Sequence, residues 1–294
     1  MSYTSDDVSS LPEESVKIAV LLTSHNRKDR TLECLESLFA SEVQAVEFEV
    51  YLVDDSSTDG TAEVVAANYP DVNIAIGSGA LFWGGGMRLA FARAAPRRPT
   101  FILWLNDDEV LERDAIHRLL NAHRTLNSVR DEQSIIVGST RDRQTGEVSY
   151  GGVQRTSRIR RMNFSLIDSK SEIQPCETMN GNVVLIPRSV YLNVGNIDKK
   201  FTHAMGDFDY GLRARRAGCK IFVAPGYFAE CDSNSPEGTF RDLTLSRRER
   251  LRRAVSTKGI PPREWVSLCR RHAGPLWPIF AMAPYIRLLA ELRR

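Results

Sequence analysis

The sequence predicts an α/β fold, with a mostly parallel central sheet flanked by helices and a helical C-terminal extension. Three observations carry this. Apolar runs at 17–23, 48–53, 72–76 and 101–105 alternate with helix-patterned stretches at 31–40, 61–68, 86–93 and 113–124. Such alternation builds parallel sheets, because a parallel neighbour needs a crossover and the crossover is usually a helix. The runs are also apolar at nearly every position, which marks strands covered on both faces.

The first strand, 17–23, is rich in β-branched and aliphatic residues, and 31–40 places Leu32, Leu35 and Leu38 at helical spacing. Asp59 and Gly60 form the entry to the helix at 61–68. From 138 to 165 turn-formers, short β-like pieces and a basic cluster (Arg155, Arg158, Arg160, Arg161) read as loops and a hairpin. A strand at 182–186, a short helix at 188–194, a helix at 208–217 and a strand at 220–223 ending at Pro225 follow. The expected organisation is a disordered segment at 1–15, a catalytic domain at 16–240 and a basic, amphipathic helical extension at 241–294. The 294 residues suit one core with additions.

Composition narrows the class. Apolar content of 42% and charged content of 26% are those of a soluble globular chain, and a net charge of +2 carries no nucleic-acid signature. Five scattered cysteines, an odd number without a C-x-x-C pair, point to a reducing compartment. Residues 1–14 have neither a basic start nor an apolar stretch, so no signal peptide is expected and the cytoplasm is the expected location. Segment 275–290 contains Arg287 and three prolines, which makes it a poor membrane span. Arginines flank it, and they cluster at Arg247, Arg248, Arg250, Arg252 and Arg253. The tail therefore fits a peripheral membrane surface, a helix packed on its own domain, or a homo-oligomer contact.

Chemistry-bearing residues fall at the carboxyl ends of the predicted strands, where open α/β sheets bind ligands. The first strand ends in Ser24, His25, Asn26 and Arg27, and the second in Asp54, Asp55 and Ser56. Adjacent carboxylates repel unless something binds them, and such a group accepts from a base imide or a ribose hydroxyl. The strand at 101–105 ends in Asn106, Asp107, Asp108 and Glu109, an oxygen-rich cluster suited to Mg²⁺ or Mn²⁺. Trp83 stacks on a base or sugar or packs in the core, and Gly84, Gly85 and Gly86 permit close backbone approach to a ligand. No G-x-G-x-x-G follows the first strand and no G-K-[ST] occurs, which disfavours dinucleotide and P-loop chemistry. Asp207, opening a helix, is a candidate general base.

In their order and spacing, Ser24–Arg27, Asp54–Ser56, Asn106–Asp108 and Gly206–Asp209 resemble the family 2 glycosyltransferases of the GT-A fold, in a bacterial rhamnosyltransferase-like branch that builds surface polysaccharides. The resemblance implies an inverting transfer from a nucleotide-sugar donor to a saccharide or lipid-linked saccharide acceptor. It implies donor contacts at Asp54 and Asp55, and Ser24, Asn26, Arg27, Ser56, Trp83, Gly84, Gly85, Asn106 and Asp107 complete the candidate donor-binding set. It implies a divalent Mg or Mn ion on Asp108, Asp207 as catalytic base, and an acceptor side formed by His203, Asp209 and Asn182. Three departures stand out: Asn106 replaces the first aspartate of D-x-D, Gly206 stands where a glutamate is common, and Glu230, Cys231 and Asp232 stand near where relatives carry a histidine. A metal-assisting role falls to Glu230 or Asp232, while Cys231 reads as packing. The alternative is a nucleotide-sugar-binding scaffold without turnover.

Overall fold

A computed structural model describes residues 15–129, 133–232 and 236–291, so most of the N-terminal segment expected at 1–15 lies outside the described residues. The chain begins with β1 (Val16–Ser24), α1 (Lys28–Phe39), β2 (Val46–Asp54), α2 (Thr61–Asn68), β3 (Asn73–Ile76), α3 (Phe82–Ala94) and β4 (Phe101–Leu105). Next come β5 (Val110–Leu111), α4 (Ala115–Val129), β6 (Ser134–Arg141), β7 (Val148–Tyr150), β8 (Gly152–Arg155), β9 (Phe164–Leu166), β10 (Gln174–Pro175) and β11 (Thr178–Met179). The remainder comprises β12 (Val183–Pro187), α5 (Arg188–Val194), α6 (Gly206–Arg216), β13 (Lys220–Glu230), α7 (Arg247–Ala254), α8 (Pro262–His272) and α9 (Trp277–Glu291).

The central sheet runs β10-β13-β6-β12-β4-β1-β2-β3, and a small second sheet runs β11-β8-β9. Strands β3, β2, β1 and β4 are parallel, as are β6 and β13, while β12 is antiparallel between β4 and β6. Burial explains the unbroken apolar runs. Ile18, Val20 and Leu22 of β1 pack with Leu35 and Leu38 of α1 on one face. Ala19 and Leu21 turn to the other face with Met87 of α3 and Tyr210 of α6. Each such aliphatic side chain contributes about 1.5–3 kcal/mol when withdrawn from water.

Three of the boundaries that differ from expectation have a visible cause. Helix α3 starts at Phe82 rather than 86, because the Asp55 carboxylate accepts the N–H groups of Leu81 and Phe82 at 2.8 and 2.9 Å. A cap supplied from another loop leaves no local signal. Part of the stretch read as loops from 138 belongs to β6, which is buried along almost its whole length between β12 and β13. Strand β13 runs past Pro225 to Glu230, with register shifts after Val223 and Tyr227 and a left-handed Gly226 at φ +80°. The bulge absorbs a proline that has no N–H for the ladder.

In the tail, α8 and α9 pack together around Cys269, Ala273 and Ala281. Ile279, Met282, Ile286 and Leu289 of α9 stay exposed at helical spacing. Among the described residues no helix is long and apolar enough to cross a membrane.

Candidate active site

The loops after β1, β2 and β4, together with the start of α6, converge at one end of the sheet. The first two are laced together. Asn26, in a left-handed conformation at φ 53°, accepts the Thr58 N–H on Oδ1 at 2.7 Å, and its own N–H donates to Ser57 Oγ at 2.8 Å. Asp54 accepts from the Ser57 hydroxyl and N–H. Asp55 accepts three backbone N–H groups, those of Gly79, Leu81 and Phe82. What binds the adjacent carboxylates is therefore the chain itself. Both are buried, and they shape the loop that would meet a donor. Ser24, also buried, bonds its hydroxyl to Thr31 at 2.8 Å, and Ser56 donates to the Gly77 carbonyl at 2.7 Å. Their hydroxyls brace the loops. Asp59, beside them, accepts from Lys28 N and Thr61 N in a capping role.

The glycines of α3 have a packing reason of their own. A Cβ on Gly84 would lie 2.6 Å from the Phe201 carbonyl oxygen, and one on Gly85 would lie 2.9 Å from Leu81 Cβ. On Gly86 it would collide with Thr23. These residues let α3 pack on its own chain. Trp83 likewise takes a bracing role, with its indole N–H donating to Asn106 Oδ1 at 2.8 Å and its ring meeting Trp104 edge-on.

The acidic cluster lies beyond β4. Arg27 bridges Asp108 at 2.6 Å and Asp107 at 3.3 Å. Burial alone would lower the Arg27 guanidinium, but the two aspartates outweigh it and hold it above its ordinary value. Burial pushes Asp107 up to about 6, with Arg27 opposing and Asp108 reinforcing. Burial likewise lifts Glu109 to about 8. Asn182, expected on the acceptor side, is instead buried and donates to Glu109 at 2.6 Å. The oxygens of Asp108 and Glu109 and the Cys231 sulfur all lie within 4.8 Å of one another. Asp107 Oδ2 and Glu109 Oε2 are buried without a hydrogen-bond partner. Unsatisfied buried oxygens beside a thiol fit a divalent cation, which would repay their desolvation. Glu230 and Asp232 do not join this set, because Glu230 pairs with Arg141 at 2.6 Å and Asp232 with Arg30 at 2.6 Å. Cys231, read from sequence as packing, stands in this set instead, beside the Asp108 and Glu109 of the oxygen-rich cluster.

Asp207 opens α6 after Met205, whose backbone is left-handed at φ 70°. Its Oδ2 accepts the Gly181 N–H at 3.1 Å and its Oδ1 the Phe208 N–H at 2.8 Å. Burial raises this carboxyl to about 6 against those two bonds. Both neighbouring glycines have a packing reason. A Cβ on Gly181 would strike the Trp83 ring, and one on Gly206 would lie 3.0 Å from Ile197 and 3.6 Å from Trp83. A glutamate at 206 would need Ile197 to give by a few tenths of an ångström. His203 sits 5.9 Å from the Phe82 ring with its Nδ1 buried and unpartnered, and burial lowers it from its ordinary value so that it is neutral near pH 7.

Asp209 is the clearest correction. It is fully buried and accepts from Arg213 at 2.8 Å, Arg271 at 2.6 Å and His272 at 2.9 Å, which leaves nothing for an acceptor. Burial works to raise it, but those three partners outweigh burial and hold it below the usual carboxylate range. Arg271 also pairs with Asp198 at 2.6 Å, and Glu264 accepts the Thr202 N–H at 3.2 Å. Helix α8 of the extension thus buttresses the segment that leads to His203 and Asp207. Asp209→Ala leaves the largely buried Arg213 without its carboxylate and takes one of two from Arg271, and is expected to cost about 3–5 kcal/mol. A melting temperature unchanged by that substitution would remove the anchoring role.

The geometry defines a class, an α/β glycosyltransferase of GT-A architecture. The chain belongs to the glycosyltransferase-like family 2, whose model matches residues 15–256. Among solved structures it is similar to S. aureus TarS 1–349, at 16% identity and a TM-score of 0.55, over 93% of this chain and 88% of that one. The same protein bound to UDP-GlcNAc matches at 14% identity and a TM-score of 0.56, over 87% and 71%. A mannosyltransferase from Pyrobaculum calidifontis, bound to GDP-Man and Mn²⁺, matches at 14% identity and a TM-score of 0.54, over 91% and 69%. No curated protein sequence gives a match.

Proposed function

We propose that the chain transfers a sugar, with inversion, from a UDP- or dTDP-sugar to a hydroxyl of a saccharide or lipid-linked saccharide in surface polysaccharide synthesis. The observation that carries this is one connected frame. Asp207 is held by Gly181, Gly181 is covered by Trp83, and Trp83 holds Asn106 at the head of the acidic cluster. Base and diphosphate site are thereby fixed relative to each other, as a single displacement requires.

Asp207 takes the proton of the attacking hydroxyl. The oxygen bonds to the anomeric carbon as the bond to the diphosphate breaks on the opposite face, and the diphosphate leaves with the electron pair. A carboxyl raised to about 6 is ionised at neutral pH yet basic enough to accept. The buried Nδ1 of His203, without a partner, supports a role for this neutral imidazole on the acceptor side. Arg27 offers its guanidinium to the donor phosphates. Mg²⁺ or Mn²⁺ would be held by Asp108 with Glu109 and Cys231, and would supply positive charge to the leaving diphosphate. The exposed stripe of α9, with Arg287 beside it, supports a peripheral membrane location.

The test is calorimetric titration with UDP, dTDP and GDP, each with and without Mn²⁺. One pyrimidine diphosphate is expected to bind, and only with the cation. If none of the three binds, or binding ignores the cation, the donor-site reading fails.

A further inference from the structure

A second feature lies away from this site and takes no part in the chemistry above. The basic cluster of the β8–β9 region and the C-terminal end of α6 face each other across a cavity of about 490 Å³. Arg155, Arg158, Arg161, Arg215 and Arg216 line it, and Glu177 is the one carboxylate among its lining residues. That carboxylate is already shared, at 2.7 Å from Arg155 and 3.5 Å from Arg215. Four positive charges therefore stand in excess around one hollow.

Crowding like charges is unfavourable unless something compensates it. The position of Arg155 is also built. Its guanidinium lies over the Phe164 ring, its Nε donates to the Arg161 carbonyl at 2.7 Å, and it is four-fifths buried. Arg216 donates to the Arg271 carbonyl, which ties the cavity wall to α8. Gly274 follows α8, and there a Cβ would come within 2.7 Å of Arg161. The hollow is thus bounded by three parts of the chain that meet only in the fold. Planar guanidinium groups in such numbers match the oxygens of phosphate. Asp207 and Arg216 are nine residues apart on α6, about 13 Å along the axis, so the cavity lies roughly one helix length from the proposed base.

We propose that this cavity is a second anion site, which binds a ligand through a phosphate or diphosphate group. A membrane lipid headgroup and a soluble phosphate ester share that chemistry. Arg158 and Arg161, exposed on the loop, are the residues whose removal weakens binding without disturbing the core.

The test uses the full chain with chelator present, so that the acidic cluster takes no part. Inorganic pyrophosphate is titrated calorimetrically against wild type, Arg158→Ala/Arg161→Ala and Arg247→Ala/Arg248→Ala, the last removing equal charge from α7. Co-sedimentation of the same three proteins with phosphatidylcholine vesicles, with and without phosphatidic acid, forms the second arm. The expected result is a loss of affinity of tenfold or more in the Arg158/Arg161 variant alone. Loss in the pyrophosphate arm only assigns a soluble phosphate ester, and loss that extends to the phosphatidic acid vesicles assigns a headgroup. Equal losses in both variants, or no binding in either arm, overturn the proposal.

Discussion

Asp207→Asn is expected to lower kcat by about 10²–10⁴-fold while leaving affinity for the nucleoside diphosphate unchanged. The amide keeps the size of the side chain and removes its ability to accept a proton. Donor affinity is spared because the acidic cluster after β4 keeps its own contacts. In wild type the sign of the pH dependence follows from the raised carboxyl. The ionised form accepts the proton, so the rate rises as pH climbs through about 6 and levels above it. A carboxyl at its ordinary value would give a flat profile over that range. A pH–rate profile of kcat/KM, run beside calorimetry of the variant, checks both halves. A variant with wild-type turnover, or one that loses donor binding in step with turnover, would displace Asp207 from the role of base.

The parts of this arrangement that sequence made visible are those with a local cause. The helix at Thr61–Asn68 starts where the Asp59–Gly60 entry places it, and the short helix expected at 188–194 stands at Arg188–Val194. The strand ends that carry Asp54, Asn106 and Asp108 are visible because each follows a run buried on both faces. What escaped has a cause elsewhere in the chain. The cap of α3 comes from Asp55 across 26 and 27 residues, Glu109 is held by Asn182 across 73, and Asp209 meets His272 across 63. No period or local motif encodes such pairings. Asp209 shows the consequence. Beside Asp207 in sequence it looks like a partner in the chemistry, but two residues along a helix is about 200° of rotation, which turns it to the other face. The glycines of α3 also answer to residues distant in sequence. Their permissiveness is real, and it lets Thr23 and Phe201 come close.

The other large effect is expected for Asp108→Ala. Asp108 is the most exposed of the three groups that could hold a cation, with about a quarter of its side chain open to solvent. Its loss leaves Glu109, buried and held by Asn182, with Cys231 as the remaining pair. Two ligands hold a divalent cation far more weakly than three. Mn²⁺-dependent binding of nucleoside diphosphate is therefore expected to disappear, with turnover falling by on the order of 10²–10³-fold, the equivalent of several kcal/mol of charge stabilisation. Cys231→Ser separates this from a merely electrostatic role of Asp108. Mn²⁺ favours oxygen, so a hydroxyl there largely preserves its binding, whereas softer Co²⁺ loses a thiolate and the charge-transfer absorption that accompanies it. Mn²⁺ titration by electron paramagnetic resonance and Co²⁺ titration by absorption read the two effects independently of catalysis. If Asp108→Ala binds Mn²⁺ as wild type does, the cation is not held at this cluster. If Co²⁺ binds without a thiolate band, the Cys231 sulfur stands outside the coordination shell, and Asp108 and Glu109 hold the ion through oxygen and water alone.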